Sequence, residues 1–167
     1  AAPLRRAGAQ PGDDSTGSGT LGASAAGLAL SQRRPEEEFT AAERILVERF
    51  LAPTPRVELG RALIGHATAA IDVSDGLVAD LGHICEQSGV GAELAVERLP
   101  VSDALTACVA SEQARAYALA GGDDYELCFT APPAAAAALE ALAREVGVAL
   151  TRIGRIRAGD GVACLDE

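Results

Sequence analysis

The stretch Ala70–Leu77, "AIDVSDGL", places two carboxylates and a hydroxyl between an apolar run and an amphipathic one. The apolar residues before it predict a buried strand, and the spacing of the apolar residues after it predicts a helix that ends at Gly89. A further apolar run, "AELAVE" at 92–97, predicts another strand, so we expect a βαβ unit here. In open α/β sheets the ligand crevice lies beyond the carboxyl ends of the strands, and this is the position of Asp72.

The acidic turn that follows the strand has two interpretations. Ser74 could cap the helix and Asp75 could stabilise its first turn, each by ~1 kcal/mol or less, with no ligand involved. Asp72 gains nothing from capping because it ends an apolar strand. Two carboxylates three residues apart can share Mg²⁺, a hard cation that takes oxygen ligands and stays bridged to phosphates. Asp72 and Asp75 are therefore candidate metal ligands, and Ser74 is either a cap, a ligand contact or both.

The rest of the chain reads as alternating helices and strands. Thr40 and Glu43 form a capping box for a helix that ends before Pro53, and Thr54 with Pro55 repeats the start signal for a second helix. Downstream patterns predict short helices at 101–109 and 112–120, a strand at 125–132, a helix at 133–147 and a strand at 148–156. Pro133 lies near the start of the predicted helix at 133–147, and Gly147 marks its end. The main domain is thus expected to be a layered α/β structure with a helix-covered sheet.

The first 34 residues are rich in Gly, Ala and Ser and show no long amphipathic pattern. They fit either part of a domain completed elsewhere or a disordered arm. The segment "GTLGASAAGL" at 19–28 resembles a glycine-rich phosphate loop, but it lacks the lysine of a P-loop and the preceding strand of a dinucleotide fingerprint.

Composition excludes some classes of function. The net charge of −10 argues against nucleic-acid binding, which depends on Lys and Arg neutralising phosphates. The four cysteines form no CxxC pair, so we expect reduced thiols in a cytosolic protein. We find no apolar run of membrane-spanning length and no signal-peptide pattern, which predicts a soluble, cytoplasmic protein.

A second acidic motif, "LAGGDDYELCF" at 119–129, lies on a loop between a helix and a strand. Asp123 and Asp124 could form a solvated turn after a helix cap. Adjacent like charges repel, so the pair could instead indicate a cation or a ligand donor nearby. His66 and His83 lie on helical stretches without obvious partners, and we interpret both as structural.

Taken together, these motifs resemble those of bacterial thiamine-monophosphate kinase. The segments that carry the resemblance are, in order, "LRRAGAQPGD", "SGTLGASAAGLAL", "LAPTPRVELGRAL", "AIDVSDGLVADLGHI", "SGVGAELAVERLPVSDAL" and "ALAGGDDYELCFTAP". The resemblance implies the C-terminal α/β domain of the aminoimidazole ribonucleotide synthetase-like type, with a mixed sheet covered by helices. It also implies that residues 1–34 are a remnant of an N-terminal ATP-binding domain and that residues 35–167 are a C-terminal domain incomplete at its end.

The same resemblance implies a phosphotransferase with a phosphate group as acceptor, which converts ATP and thiamine monophosphate to thiamine diphosphate with Mg²⁺. It implies that Asp72 and Asp75 bind Mg²⁺, that Arg6 and Ser74 contact ATP, and that Asp123 contacts the substrate at a position where the family commonly has Glu. The resemblance further implies that an N-terminal domain, of which this chain carries only the last part, supplies most of the metal-binding aspartates, most of the ATP site and the homodimer interface, so we expect this chain alone to have little or no kinase activity. The alternatives are a non-catalytic ligand-binding module of the same fold and a related ATP-dependent enzyme with another acceptor.

Overall fold

The structure, a computed structural model, describes residues 3–33 and 39–166. The strands are β1 Asp14–Ser18, β2 Ala69–Asp72, β3 Gly91–Ala95, β4 Leu127–Ala131, β5 Leu150–Arg157 and β6 Val162–Leu165. The helices are α1 Ala23–Ser31, α2 Ala41–Leu51, α3 Val57–Ala62, α4 Leu77–Ser88, α5 Asp103–Cys108, α6 Ser111–Ala120 and α7 Ala136–Val146. Short 3-10 turns at Val96–Arg98 and Pro133–Ala135 complete the described elements.

The six strands form one mixed sheet in the order β2-β4-β1-β5-β3-β6. Strands β3 and β6 are parallel, and the other neighbours are antiparallel. The predicted mixed sheet covered by helices is confirmed. The expected βαβ unit is wrong as a pair of neighbouring strands, because β4, β1 and β5 lie between β2 and β3. The partner of β2 is β4, which the chain supplies only after three further helices, so local pattern gives no sign of the pairing.

The described part of residues 1–34 belongs to the folded unit. Strand β1 lies at the centre of the sheet between β4 and β5, and α1 packs against α2. The disordered-arm alternative is therefore wrong for residues 14–31. The pattern rules did not predict this strand because its sequence, "DSTGS", has no large apolar side chain. The space beside Gly17 is filled by the side chain of Ile153 from the neighbouring strand β5. The assignment of residues 1–34 to a remnant of a separate N-terminal domain stays a prediction.

Helices cover both faces of the sheet. Along β4, Cys128 packs into the cluster that α4 forms with the sheet, whereas Phe129 packs with α3 and α7 on the opposite face. A third apolar cluster lies among α1, α2, α5 and α6 and is centred on Leu46 and Leu105. Among the residues that the structure describes, no helix has the length and apolar character needed to cross a bilayer.

The ends of the helices confirm some of the predicted signals and correct others. Thr40 and Glu43 form the predicted capping box of α2, and Gly89 ends α4 in the left-handed conformation with φ 67°. The predicted N-cap at Thr54 is wrong, because α3 begins at Val57 and Arg56 occupies the cap position without a side-chain capping bond. Strand β6, the edge strand that pairs with β3, was not predicted from the sequence.

Candidate functional site

The two acidic motifs of the sequence lie side by side in the structure. Since β2 and β4 are antiparallel, the turn that follows β2 meets the loop that precedes β4. The Tyr125 N–H donates a hydrogen bond to the Val73 carbonyl at 2.9 Å, and the Asp123 N–H donates to the Ser74 carbonyl at 3.0 Å. These bonds continue the β2–β4 pairing beyond the strands and bring the two motifs to one edge of the sheet.

We call the polar groups on this surface the acidic edge: Asp72, Asp75, Asp123 and Tyr125. Asp72 and Asp75 are exposed, Asp123 is half-buried, and the Tyr125 hydroxyl lies 3.3 Å from Asp123 Oδ1. The charge of Asp123 and its hydrogen bond raise the pKa of Tyr125, and partial desolvation and the charges of Asp72 and Asp75 add to the rise. All three carboxylates therefore act on one phenol, so they share a region of negative potential.

A glycine allows the close contact between the turn and the loop. An added Cβ at Gly122 would stand 2.5 Å from the Ser74 carbonyl oxygen, a separation that side chains do not tolerate. On the other side of the contact, Gly76 has a φ of 115° and immediately precedes α4. The glycines of the two motifs are thus required where the backbones approach.

The turn at the start of α4 is held from inside the helix by Asp80. Its Oδ2 accepts hydrogen bonds from the backbone N–H groups of Ser74, at 2.9 Å, and Asp75, at 3.0 Å. The predicted capping role of Ser74 is wrong, since α4 has no side-chain capping bond and Gly76 occupies the cap position. Because Asp80 uses these two N–H groups, they are not free to bind a phosphate.

The second motif separates its two aspartates. Asp124 is buried at the N-terminus of α1, where its carboxylate accepts hydrogen bonds from Gly22 N at 2.6 Å and Ser24 N at 3.2 Å. Burial raises the pKa of Asp124 to about 6, against the opposing effect of the two N–H donors. Asp124 therefore anchors the loop, and Asp123 alone of the pair faces the acidic edge.

Glu126 is a second buried anchor, and the sequence analysis missed it. Its carboxylate accepts hydrogen bonds from Ser18 Oγ at 2.6 Å, Arg49 Nη2 at 2.9 Å, and Arg56 Nε and Nη2 at 2.8 and 2.7 Å. The glutamate side chain is only 1% exposed. Its arginine partners lie 77 and 70 positions away in the chain, so no short motif connects them; a glutamate inside a predicted buried strand was the only available signal.

The two residues of the loop that face the acidic edge have strained backbones. Asp123 has a φ of 62° and Tyr125 a φ of 50°, and among the described residues they are the only non-glycine positions with positive φ. This left-handed conformation costs about 1–2 kcal/mol per residue for side chains with a Cβ. Strain of this kind persists only where the surrounding contacts impose it.

His83 lies nearly two turns into α4, and its imidazole is close to Asp75 of the acidic edge. One ligand atom from each of Asp75, Asp80 and His83 lies within 4.8 Å of the others. His83 thus has two carboxylates close to it, and its interpretation as a structural residue stays a prediction. The exposed carboxylate of Asp75 and the buried one of Asp80 offer oxygen ligands, and the imidazole of His83 offers a nitrogen ligand, a set that suits a divalent cation. The exposed Asp72 and Asp75 supply the hard oxygen ligands that Mg²⁺ prefers.

Arg6 lies next to β2, the strand that leads into the acidic edge. The Arg5 carbonyl accepts a hydrogen bond from the Ala70 N–H at 2.9 Å, two positions before Asp72. Ser88 Oγ, at the end of α4, donates a hydrogen bond to the Arg6 carbonyl at 3.4 Å. Of the five predicted site residues, the structure thus groups Asp72, Ser74, Asp75 and Asp123, and the contact of Arg6 with ATP stays a prediction.

Comparison with known sequences identifies the family. Residues 10–166 match the family described as AIR synthase related protein, C-terminal domain. The chain belongs to this family. The match covers β1 and α1 together with all later elements, in agreement with the central place of β1 in the sheet of this AIR synthase related domain.

The predicted resemblance to thiamine-monophosphate kinase is also confirmed. The AIR synthase related domain is 48% identical over 155 residues to the thiamine-monophosphate kinase of Salmonella typhimurium, covering 93% of this chain and 48% of that protein. It is 49% identical, with a TM-score of 0.92, to a crystal structure of thiamine-monophosphate kinase from Stenotrophomonas maltophilia K279a, covering 96% of this chain and 52% of that one. A further structure, AaThiL complexed with AMPPCP and TMP, is 38% identical with a TM-score of 0.84 and is covered to 50%. The chain thus spans about half the length of these relatives.

Proposed function

We propose that this domain works as part of a thiamine-monophosphate kinase, which transfers the γ-phosphoryl group of ATP to the phosphate of thiamine monophosphate and yields thiamine diphosphate and ADP. The observation that carries the proposal is the acidic edge, where two motifs far apart in sequence share one surface. The identity to thiamine-monophosphate kinases and the AMPPCP and TMP complex of AaThiL support this choice of donor and acceptor.

The reaction requires two anionic groups to meet. In the proposed site Asp72 and Asp75 would hold Mg²⁺, with His83 at the flank. When bound, the cation would neutralise part of the negative charge on the donor and acceptor phosphates. The acceptor oxygen is already anionic, so this chain needs no residue to remove a proton from it. Alignment of the two phosphates is then the main contribution of the protein to the rate.

Asp123 suits a different part of the substrate. A carboxylate repels a phosphate, so its partner should be the cationic thiazolium ring or the amino group of the aminopyrimidine ring. The hydroxyl of Tyr125, close to Asp123 Oδ1, orients the carboxylate. We therefore propose that the acceptor lies with its phosphate toward Asp72 and Asp75 and its cationic part toward Asp123.

Four parts of the proposal rest more on resemblance than on geometry. The first two are the ATP contacts of Ser74, which lies on the turn between Asp72 and Asp75, and of Arg6, for which resemblance is the only support. The third is a homodimer formed through an N-terminal domain. The fourth is a cytoplasmic location, with which the free thiols of all four cysteines agree.

The test is a chimaera in which this chain replaces the segment that it matches in the Salmonella typhimurium enzyme. We expect it to form thiamine diphosphate from ATP and thiamine monophosphate, measured by chromatography, and we expect the Asp72→Asn chimaera to lose most of this activity. This chain alone should show little or no turnover.

Two results would contradict the proposal. A folded chimaera that phosphorylates another acceptor, but not thiamine monophosphate, would indicate a related enzyme. A folded chimaera that binds ATP and thiamine monophosphate without forming product would indicate a binding module. Circular dichroism of the chimaera and the parent enzyme provides the control for folding.

A further inference from the structure

The loop at 121–126 alternates between residues that face the acidic edge and residues that are buried. Asp123 and Tyr125 face the edge, whereas Asp124 and Glu126 are 1% and 0% exposed. This alternation lets one face of the loop bind a ligand while the other face is fixed to the protein.

The buried face of the loop is fixed by three different helical elements. Asp124 binds two backbone N–H groups at the start of α1. Glu126 binds Arg49 in the last turn of α2 and Arg56 immediately before α3. The Arg56 contact is bidentate, which fixes the orientation of the carboxylate as well as its position. The loop therefore cannot move without breaking charge-assisted bonds to elements outside the acidic edge.

The exposed face of the loop has few direct contacts that could impose its strained backbone. Its bonds to the turn after β2 are those from Asp123 N–H and Tyr125 N–H; the third backbone bond between the loop and the turn, from Val73 N–H at 2.8 Å, goes to the carbonyl of the buried Glu126. Both residues have the left-handed conformation, which an unrestrained loop would leave. The restraint has to come from the flanking residues, and Asp124 and Glu126 are the ones with buried anchors.

We propose that Asp124 and Glu126 are positioning residues that hold Asp123 and Tyr125 against the turn at 73–75 and thereby set the affinity for the phosphate acceptor. The part of this inference that concerns affinity rests on the proposed function; the part that concerns loop geometry does not. Neither buried carboxylate contacts the acceptor, so both act through their neighbours.

The geometric part is tested by amide hydrogen exchange on this chain. In Glu126→Gln, the amides of Asp123 and Tyr125 should exchange about tenfold faster or more, because their bonds to Ser74 and Val73 open more often. The Ile156 amide, which bonds to the Asp13 carbonyl, reports on the rest of the sheet and should keep its rate.

The matched control is Glu93→Gln, which removes a carboxylate from a more exposed ion pair, 3.7 Å from Arg157. It should leave the exchange of Asp123 and Tyr125 unchanged. If Glu126→Gln does not fold, Arg56→Lys provides the same test, since it keeps the charge and loses the bidentate contact. Unchanged exchange at positions 123 and 125 in a folded variant of either kind would overturn the proposal.

The functional part is tested in the chimaera with the Salmonella typhimurium enzyme. Glu126→Gln should raise KM for thiamine monophosphate by about tenfold, with a smaller change in KM for ATP. A fall in kcat with both KM values unchanged would overturn the proposed role in acceptor affinity, since that pattern indicates loss of folded enzyme. If the unsubstituted chimaera forms no thiamine diphosphate, the proposed function fails, and the exchange rates still decide the geometric part.

Discussion

At the scale of single residues, position along the loop matters more than residue type. Asp123 and Asp124 are chemically identical neighbours, yet the first is half-buried at the acidic edge and the second is buried against α1. Local sequence pattern located Asp72 and Asp75 as candidate site residues, and the family resemblance singled out Asp123. Local pattern could not separate Asp123 from Asp124, and it missed Glu126, because the partners of these side chains come from distant segments.

Replacement of Asp72 by Asn should affect binding and not folding. The side chain is exposed at the end of β2, so the free energy of unfolding should change by less than ~0.5 kcal/mol. Loss of one charged ligand should weaken Mg²⁺–nucleotide binding in the chimaera by about 10- to 100-fold. Calorimetry and urea denaturation measure the two quantities, and normal affinity in a folded variant would exclude the metal role.

Asp124 should make stability depend on pH in a specific direction. The pKa of Asp124 is raised from 3.8 to about 6 in the folded state. Its contribution to the free energy of unfolding is therefore fully present below about pH 4 and is lost as pH rises through about 6. The loss amounts to roughly 3 kcal/mol at most, at 1.36 kcal/mol per pKa unit.

The measurement is urea denaturation of this chain at several pH values between 4 and 7. The Asp124→Asn variant should lack this component, so the difference in unfolding free energy between wild type and variant should change across the interval. A difference that stays constant with pH would show that the carboxylate is ionised throughout.

At the scale of elements, the helices with terminal glycines could be predicted and the central strand could not. The sequence located α4 and α7 because Gly89 and Gly147 end them in the left-handed conformation. Strand β1 was not predicted because it consists of small and polar residues, and its stability comes from pairing with β4 on one side and β5 on the other. Strand β6 was not predicted because it is only four residues long and follows a short turn that contains Gly159 and Gly161.

The contact between the turn after β2 and the loop before β4 should tolerate no side chain at Gly122. Gly122→Ala forces a methyl group against the Ser74 carbonyl, and we expect destabilisation of about 1–3 kcal/mol together with weaker acceptor binding. Thermal unfolding measures the first effect, and KM for thiamine monophosphate in the chimaera measures the second.

Gly82 is the matched control for this substitution. It lies inside α4, and an added Cβ there meets nothing within 4 Å. Gly82→Ala should therefore stabilise the protein by about 0.5–1 kcal/mol, because alanine favours the helix. Equal effects of the two substitutions would show that the backbone contact at Gly122 is not required.

At the scale of the whole molecule, the order of the strands in the sheet could not be predicted from the sequence. The layered α/β class, the helical cover and most elements followed from local periodicity, whereas the mixed sheet followed from the family resemblance. The order β2-β4-β1-β5-β3-β6 depends on pairing between distant segments, and this pairing creates the acidic edge. The same long-range packing joins residues 14–31 to the rest of the domain.

The central claim is that the two acidic motifs form one cation-gathering edge. The most direct measurement is titration of this chain with Mn²⁺, a paramagnetic substitute for Mg²⁺, observed by amide NMR. The account predicts that the amides of residues 72–76 and 121–125 broaden together at the lowest Mn²⁺ concentrations, and that the Asp72→Asn, Asp75→Asn double variant loses this effect. Broadening first at another acidic surface, such as the loop around Asp160, or equal broadening in the double variant, would contradict it.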